Sequence, residues 1–171
     1  MNTVKQQHNF FIHPTADVSP KTKIGKNVKI WHQAQIRERV TIGDNCIIGK
    51  GVYIDHDVVI GNNVKIQNYA SIYSRAIIED GVFIGPYACL TNDRYPRAVD
   101  IRGRLLKEGE WPSGMIHIEK RASIGAGSII LTNITIGTNA MVGAASLVSK
   151  NVPADTLVFG VPAKVIRKLK R

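Results

Sequence analysis

Residues 42–66 read IGDNCIIGKGVYIDHDVVIGNNVKI, with isoleucine at every sixth position: Ile42, Ile48, Ile54, Ile60 and Ile66. An α-helix repeats every 3.6 residues and a flat strand every two, so neither explains a period of six. The frame runs back through Ile36, Ile30, Ile24 and Val18 to Ile12, and forward through Ile72, Ile78 and Ile84 to Leu90. It is lost there and resumes at Ile118, Ile124, Ile130, Ile136, Val142 and Val148.

Two further columns keep the same step. Four places after each aliphatic residue stands a small or β-branched one, such as Ala34, Cys46, Val52, Val64 and Ala88. Three places after it, Gly or Asn recurs, as at Asn27, Asn45, Gly51, Asn63 and Gly127. Gly and Asn tolerate positive φ, so this column marks corners. Each hexad is then a short strand and a corner, and three hexads close one triangular coil of about 18 residues. The fold class is all-β: a parallel β-helix of hexapeptide repeats, with coils hydrogen-bonded roughly 4.8 Å apart. One hexad cannot bury its own apolar side, so stability comes from stacking.

The chain has 171 residues, enough for one domain, and 44% of them are hydrophobic. We read residues 1–171 as a single β-helix domain, with repeats at about 12–90 and 118–152. No apolar run approaches the roughly 20 residues needed to span a bilayer. The stretch from Met1 to Asn9 is polar and lacks the apolar core of a signal peptide, so a cytoplasmic protein without membrane insertion is expected. Cys46 and Cys89 fall in different columns and do not stack, so a disulfide between them is not expected. The net charge of +10 favours polyanionic partners such as nucleic acid, coenzyme A or nucleotide-sugars. Nucleic acid finds no motif here beyond charge. Part of the charge gathers at the C-terminus, in Lys164, Arg167, Lys168, Lys170 and Arg171.

The break in the frame, residues 91–117, reads as a protruding loop. It leaves a rigid scaffold and carries aromatic and cationic residues, which is the usual position of function. The closing segment, residues 157–171, is expected to include a short basic helix.

The hexads, the loop and the closing Gly160-Val161-Pro162-Ala163-Lys164 resemble the hexapeptide-repeat acyltransferases. Three stretches are more specific: Ile30-Trp31-His32, Lys65-Ile66-Gln67-Asn68, and Gly85-Pro86 followed by Thr91-Asn92-Asp93-Arg94-Tyr95-Pro96-Arg97. Together they resemble the N-acetyltransferases that modify the 3-amino group of UDP- or dTDP-linked sugars for surface polysaccharides. The resemblance implies a left-handed winding, against the general right-handed rule. It also implies acetyl-CoA as co-substrate, a nucleotide-sugar substrate, and a homotrimer with active sites in the clefts between subunits.

Residues 18 apart stack, so His56, Ser74 and Asn92 form one outward column with the loop at its top. Asn92 and Asp93 match the family's Thr-Asn motif, which implies that Asn92 orients the reacting amine with Asp93 nearby. The alternative is that Asn92 caps the loop through its own backbone. His56 is read as a substrate contact that at most assists proton removal, because a sugar amine is partly neutral near pH 7–8. The rival reading is a surface side chain. Arg94 and Arg97, with Tyr95 between them, are expected to hold substrate anions, since Arg grips phosphate and carboxylate in bidentate fashion. Asn68 and His32 join the substrate side through their motifs, although Trp31-His32 also reads as a packing and subunit-contact element. Gly125 and Gly143 stack, as do Ala126 and Ala144, leaving a shallow groove for pantetheine. The resemblance implies that these coils bind acetyl-CoA and that a backbone N–H near Gly143 steadies the oxyanion. Pro162, Ala163 and Lys164 would face the coenzyme's adenine and phosphates.

Three rivals share the scaffold. A histidine-driven O-acetyltransferase of a sugar or serine is the main one. A non-catalytic β-helix assembly protein would need neither the loop nor the closing motif. A γ-class carbonic anhydrase needs three histidines on zinc, and the only closely spaced pair is His8 and His13, so no metal is expected.

Overall fold

A computed structural model of the protein describes residues 9–107 and 109–170; His8 and Arg171 lie outside the described residues. Among the described residues, two-residue strands recur every six residues and stack in parallel seven, seven and six deep, the faces of a triangular prism; two longer C-terminal strands extend the first sheet to nine. The first face carries Ile12, Ile30, Ile48, Ile66, Ile84, Ile124 and Val142. The second carries Val18, Ile36, Ile54, Ile72, Leu90, Ile130 and Val148. The third carries Ile24, Ile42, Ile60, Ile78, Ile118 and Ile136. Strands pair in parallel, each with the strand 18 residues further on, until the loop intervenes; there Ile78 pairs with Ile118 instead.

The inward isoleucines from Ile30 to Ile84 are none more than 2% exposed. Each contributes about 1.5–3 kcal/mol. Ile12, Val18 and Ile24 are only half-buried, because no described coil lies beneath them. The small column fits beside the isoleucines, with Cys46 among it; Cys46 and Cys89 are both free thiols.

The corners are left-handed in backbone conformation, as the Gly and Asn column requires, but other residues take it too. Arg39, Tyr69, Arg75, Tyr87 and Ala145 have φ between 56° and 65°. One corner shows how coils are held together. Asp44 Oδ1 accepts from Lys26 N at 2.7 Å, Asn62 Oδ1 from Asp44 N at 2.8 Å, and Asp80 Oδ1 from Asn62 N at 2.7 Å. Each Asp or Asn caps the backbone amide of the coil below it.

The closing segment is not the expected helix. Strand Thr156–Gly160 joins the first face beside Met141–Val142 and turns back into the antiparallel strand Ala163–Lys168. The open edge of the last coil presents unpaired backbone groups, and an extended segment satisfies them as no helix would. The β-branched Val158, Val165 and Ile166 suit strands, and the charges of Lys164, Arg167 and Lys168 ride on the outer one. Among the described residues no helix is long and apolar enough to cross a membrane.

Candidate active site

The column predicted from the 18-residue step lies on the corner between the second and third faces. His56, Ser74 and Asn92 line one cavity of about 410 Å³, with Arg37 and Asp55 below and Gly109, Trp111 and Ser113 from the loop across from them. Asn92 Nδ2 donates to Ser74 Oγ at 2.9 Å. That bond orients the amide and turns its carbonyl oxygen into the group able to accept from an amine.

His56 is held by its neighbours. Asp55 Oδ1 accepts from the His56 backbone N at 2.8 Å and from Arg37 Nη1 at 3.0 Å. Asp57 Oδ2 lies 2.7 Å from His56 Nδ1, and Arg39 grips the same carboxylate through two bonds of 2.7 and 2.9 Å. The bonds from Arg39, aided by His56 and opposed by partial desolvation, hold the Asp57 carboxyl well below the usual range. An ionised carboxylate only accepts, so Nδ1 carries the hydrogen and Nε2 is the basic nitrogen. This Arg39–Asp57–His56 chain is the arrangement that makes an imidazole a proton acceptor.

The loop is braced at both feet. Gly114 N donates to Asn92 O at 2.7 Å, and Arg75 Nη1 donates to Ser113 O at 3.0 Å. Asp93 and Ser113 pair as an antiparallel bridge. At the tip, Arg104 pairs with Asp100 at 3.1 Å and with Glu110 at 2.9 Å. Trp111 therefore lines the cavity on an ordered support.

The other sequence candidates fall elsewhere in the single chain. Asp93 points away from Asn92 and, with Arg94, lines a second cavity beside Thr132 and Ser149. Tyr95 and Arg97 are exposed on the outer loop, with the Arg94 guanidinium 5.6 Å from the Tyr95 ring centre. Asn68 and His32 belong to the next corner, between the first and second faces, where Asn68 Oδ1 caps Lys50 N at 2.9 Å and His32 stacks on His13.

That same corner carries Gly125, Ala126, Gly143 and Ala144. The glycines have a packing reason. A β-carbon on Gly125 would collide with the Ala144 backbone, and one on Gly143 with the Phe159 ring. Gly143 N already donates to Val158 O at 2.8 Å, so it has no hydrogen left for an oxyanion. The distinctive residues are the alanines. On this corner Asn68 caps the amide beneath it, whereas Ala126 and Ala144 bring no side-chain acceptor. The Ala126 N–H therefore lacks the cap that Lys50 N receives from Asn68. Pro162, Ala163 and Lys164 line a separate cavity with Val148 to Val152 at the C-terminal end.

Sequence reasoning missed Arg37, Asp55, Asp57, Arg75 and Trp111. The first four sit beside the predicted column and were open to the same 18-residue arithmetic. Trp111 follows no period, and only the folded loop brings it to the corner.

The chain belongs to the hexapeptide-repeat transferases. The family described as bacterial transferase hexapeptide (six repeats) matches residues 8–56 and 57–92, and the hexapeptide repeat of succinyl-transferase matches residues 115–150. The unmatched stretch between them, residues 93–114, is most of the loop. The galactoside O-acetyltransferase of Lactococcus lactis is 30% identical over 74% of this chain and 55% of its own length. The serine acetyltransferase of Buchnera aphidicola is 33% identical over 84% of this chain and 45% of its own. The chain thus spans about half the length of these curated relatives. Among solved structures, PerB from Caulobacter crescentus, in complex with CoA and GDP-perosamine, is 26% identical with a TM-score of 0.57, covering 92% of this chain and 57% of that one.

Proposed function

We propose that the protein is an acetyl-CoA-dependent N-acetyltransferase acting on the 3-amino group of a UDP- or dTDP-linked aminosugar, in the synthesis of a surface polysaccharide. The observation that carries this reading is the cavity in which Asn92, tied to Ser74, faces the same space as His56. PerB, which was solved with a coenzyme and a nucleotide-aminosugar, supports it. Asn92 Oδ1 accepts one amine hydrogen and aims the nitrogen lone pair at the thioester carbon. The C–N bond forms as a proton passes to His56, the tetrahedral oxyanion rests on the Ala126 N–H, and the C–S bond breaks to release the coenzyme thiolate, which takes up the proton. A hydrogen bond to a developing oxyanion is worth most in a dry groove.

The substrate column and the alanine groove stand on different corners of the prism, so one chain does not bring acceptor and thioester together. A homotrimer, in which one subunit's corner faces its neighbour's, closes this gap, and its clefts would also take up Asp93, Arg94, Arg97, His32 and Asn68. Acetyl-CoA and nucleotide-sugars are cytoplasmic metabolites, and we place the protein there.

The runner-up is a sugar O-acetyltransferase, favoured by the His56–Asp57 pair, because an alcohol needs a base more than an amine does. An acetyl-CoA consumption assay across UDP- and dTDP-3-aminosugars, with mass spectrometry of the product, decides the matter. An amide is expected. An ester establishes the runner-up, and no consumption with any acceptor rejects both.

A further inference from the structure

Two exposed tyrosines stand where the corner geometry disfavours them. Tyr69 and Tyr87 both have positive φ, 60° and 59°, at positions that Gly or Asn occupies in other coils. A residue with a β-carbon is disfavoured there. The arginines in the same conformation each have a visible partner: Arg39 bonds Asp57, Arg75 bonds Ser113 and Arg121 bonds Asn139. The tyrosines instead build a stack. Tyr69 lies flat over Gly51, where a β-carbon would stand 2.5 Å from two of its ring atoms. Tyr87 lies over Tyr69, with centroids 5.2 Å apart and planes 20° from parallel.

Above Tyr87 the column is open. The next corner residue is Gly127, tied to this coil by its N–H to Pro86 O at 2.8 Å, and nothing lies within 4 Å of where its β-carbon would be. Tyr87 is 65% exposed. Lys50 Nζ lies at the lower end of the stack, 5.8 Å from the Tyr69 ring centre. The stack thus ends in a free aromatic face under a glycine ceiling, with the alanine groove one coil above.

We propose that this stack is a base-binding platform: a planar heteroaromatic ring of a nucleotide lies on Tyr87 as a third layer. Aromatic faces accept any base. The ring has two possible sources, the nucleobase of the nucleotide-sugar or the adenine of the coenzyme. The inference rests on the proposed function for the identity of the ligands but is tested by binding alone.

The test is titration calorimetry of the full chain with uridine, thymidine and guanosine 5′-diphosphates and with coenzyme A, inorganic pyrophosphate serving as the base-free control. The parent is compared with Tyr87→Gly and Tyr87→Trp. Tyr87→Gly is expected to weaken one of the nucleotides about tenfold, the size of one base–aromatic stack, and to leave pyrophosphate unchanged. Its Tm should hold or rise, because glycine suits the positive φ. Tyr87→Trp should bind as the parent does. Weakening confined to the nucleoside diphosphates assigns the sugar donor's base, and weakening confined to coenzyme A assigns adenine. The proposal is overturned if the parent binds none of these nucleotides, if Tyr87→Gly binds them equally well, or if Tyr87→Gly melts lower or sediments as a smaller species. The last pair would make the stack a structural or subunit contact. A parent that binds nucleotides on Tyr87 yet acetylates no aminosugar would defeat the proposed reaction and leave the platform standing.

Discussion

Asn92 and Ser74, one coil apart on the same corner, are joined side chain to side chain by a 2.9 Å bond from Asn92 Nδ2 to Ser74 Oγ. The bond fixes which end of the amide meets the acceptor. Asn92→Ala should lower kcat by about one to two orders of magnitude, the effect of losing an orienting contact. Acetyl-CoA affinity should stay near that of the parent. Steady-state kinetics with each substrate varied in turn measure both, and an unchanged kcat would remove Asn92 from the reaction.

The imidazole of His56 depends on Asp57. The carboxyl of Asp57 is depressed, so its ion pairs are formed throughout neutral pH and are lost only as acid brings the pH down through its folded value. Asp57 should therefore stay ionised, and hold its ion pair with Arg39, across the acid-to-neutral range in which activity is measured. His56→Ala should cost about 10²-fold in kcat. Asp57→Asn is a clean companion, because Asn tolerates the φ of 58° at this corner; it should lose most of that rate while the nucleotide-sugar KM holds. A kcat unaltered in both variants would show that the amine needs no base.

Ala144→Asn restores the side-chain cap that other corners carry. By the geometry of Asn68 on Lys50 N, its Oδ1 should take the Ala126 N–H. The fold should be unharmed, with Tm at or above the parent's. Acetyl transfer should fall about 10²–10³-fold, as when an oxyanion donor is lost. Full activity in a protein that melts like the parent would move the oxyanion site elsewhere.

Ile60, 2% exposed at mid-prism, supports the scaffold. Ile60→Ala should cost about 2–5 kcal/mol by chemical denaturation. One residue inserted between Val58 and Gly61 should be worse, because every later inward side chain would turn outward. An insertion variant as stable as the parent would contradict the coil register.

Sedimentation equilibrium should return three times the 18.8 kDa chain mass. In that assembly Arg94→Ala and Arg97→Ala should raise the nucleotide-sugar KM and spare acetyl-CoA. A monomer with full activity would require acceptor and thioester to meet on one corner.

The coil could be read from the chain alone because each hexad repeats one local decision: aliphatic inward, small beside it, positive φ at the corner. Stacking converts that into arithmetic, so the column of His56, Ser74 and Asn92 was legible before any coordinates, and Arg37 with Asp55 was within reach of the same step. What broke the period was not legible. The direction of Asp93, the position of Trp111 and the feet of the loop on Arg75 depend on contacts between residues far apart in the chain, as Arg75 and Ser113 are, 38 residues apart. The C-terminal strands depend on an open sheet edge that exists only after the last coil has formed. The difference between glycine and alanine in the groove was hidden for the same reason. Glycine answers to the crowding of the coil above, which the period implies. The amide at Ala126 is exposed by the absence of an acceptor in the neighbouring coil, and an absence of that kind is a property of packed neighbours rather than of any one stretch of chain.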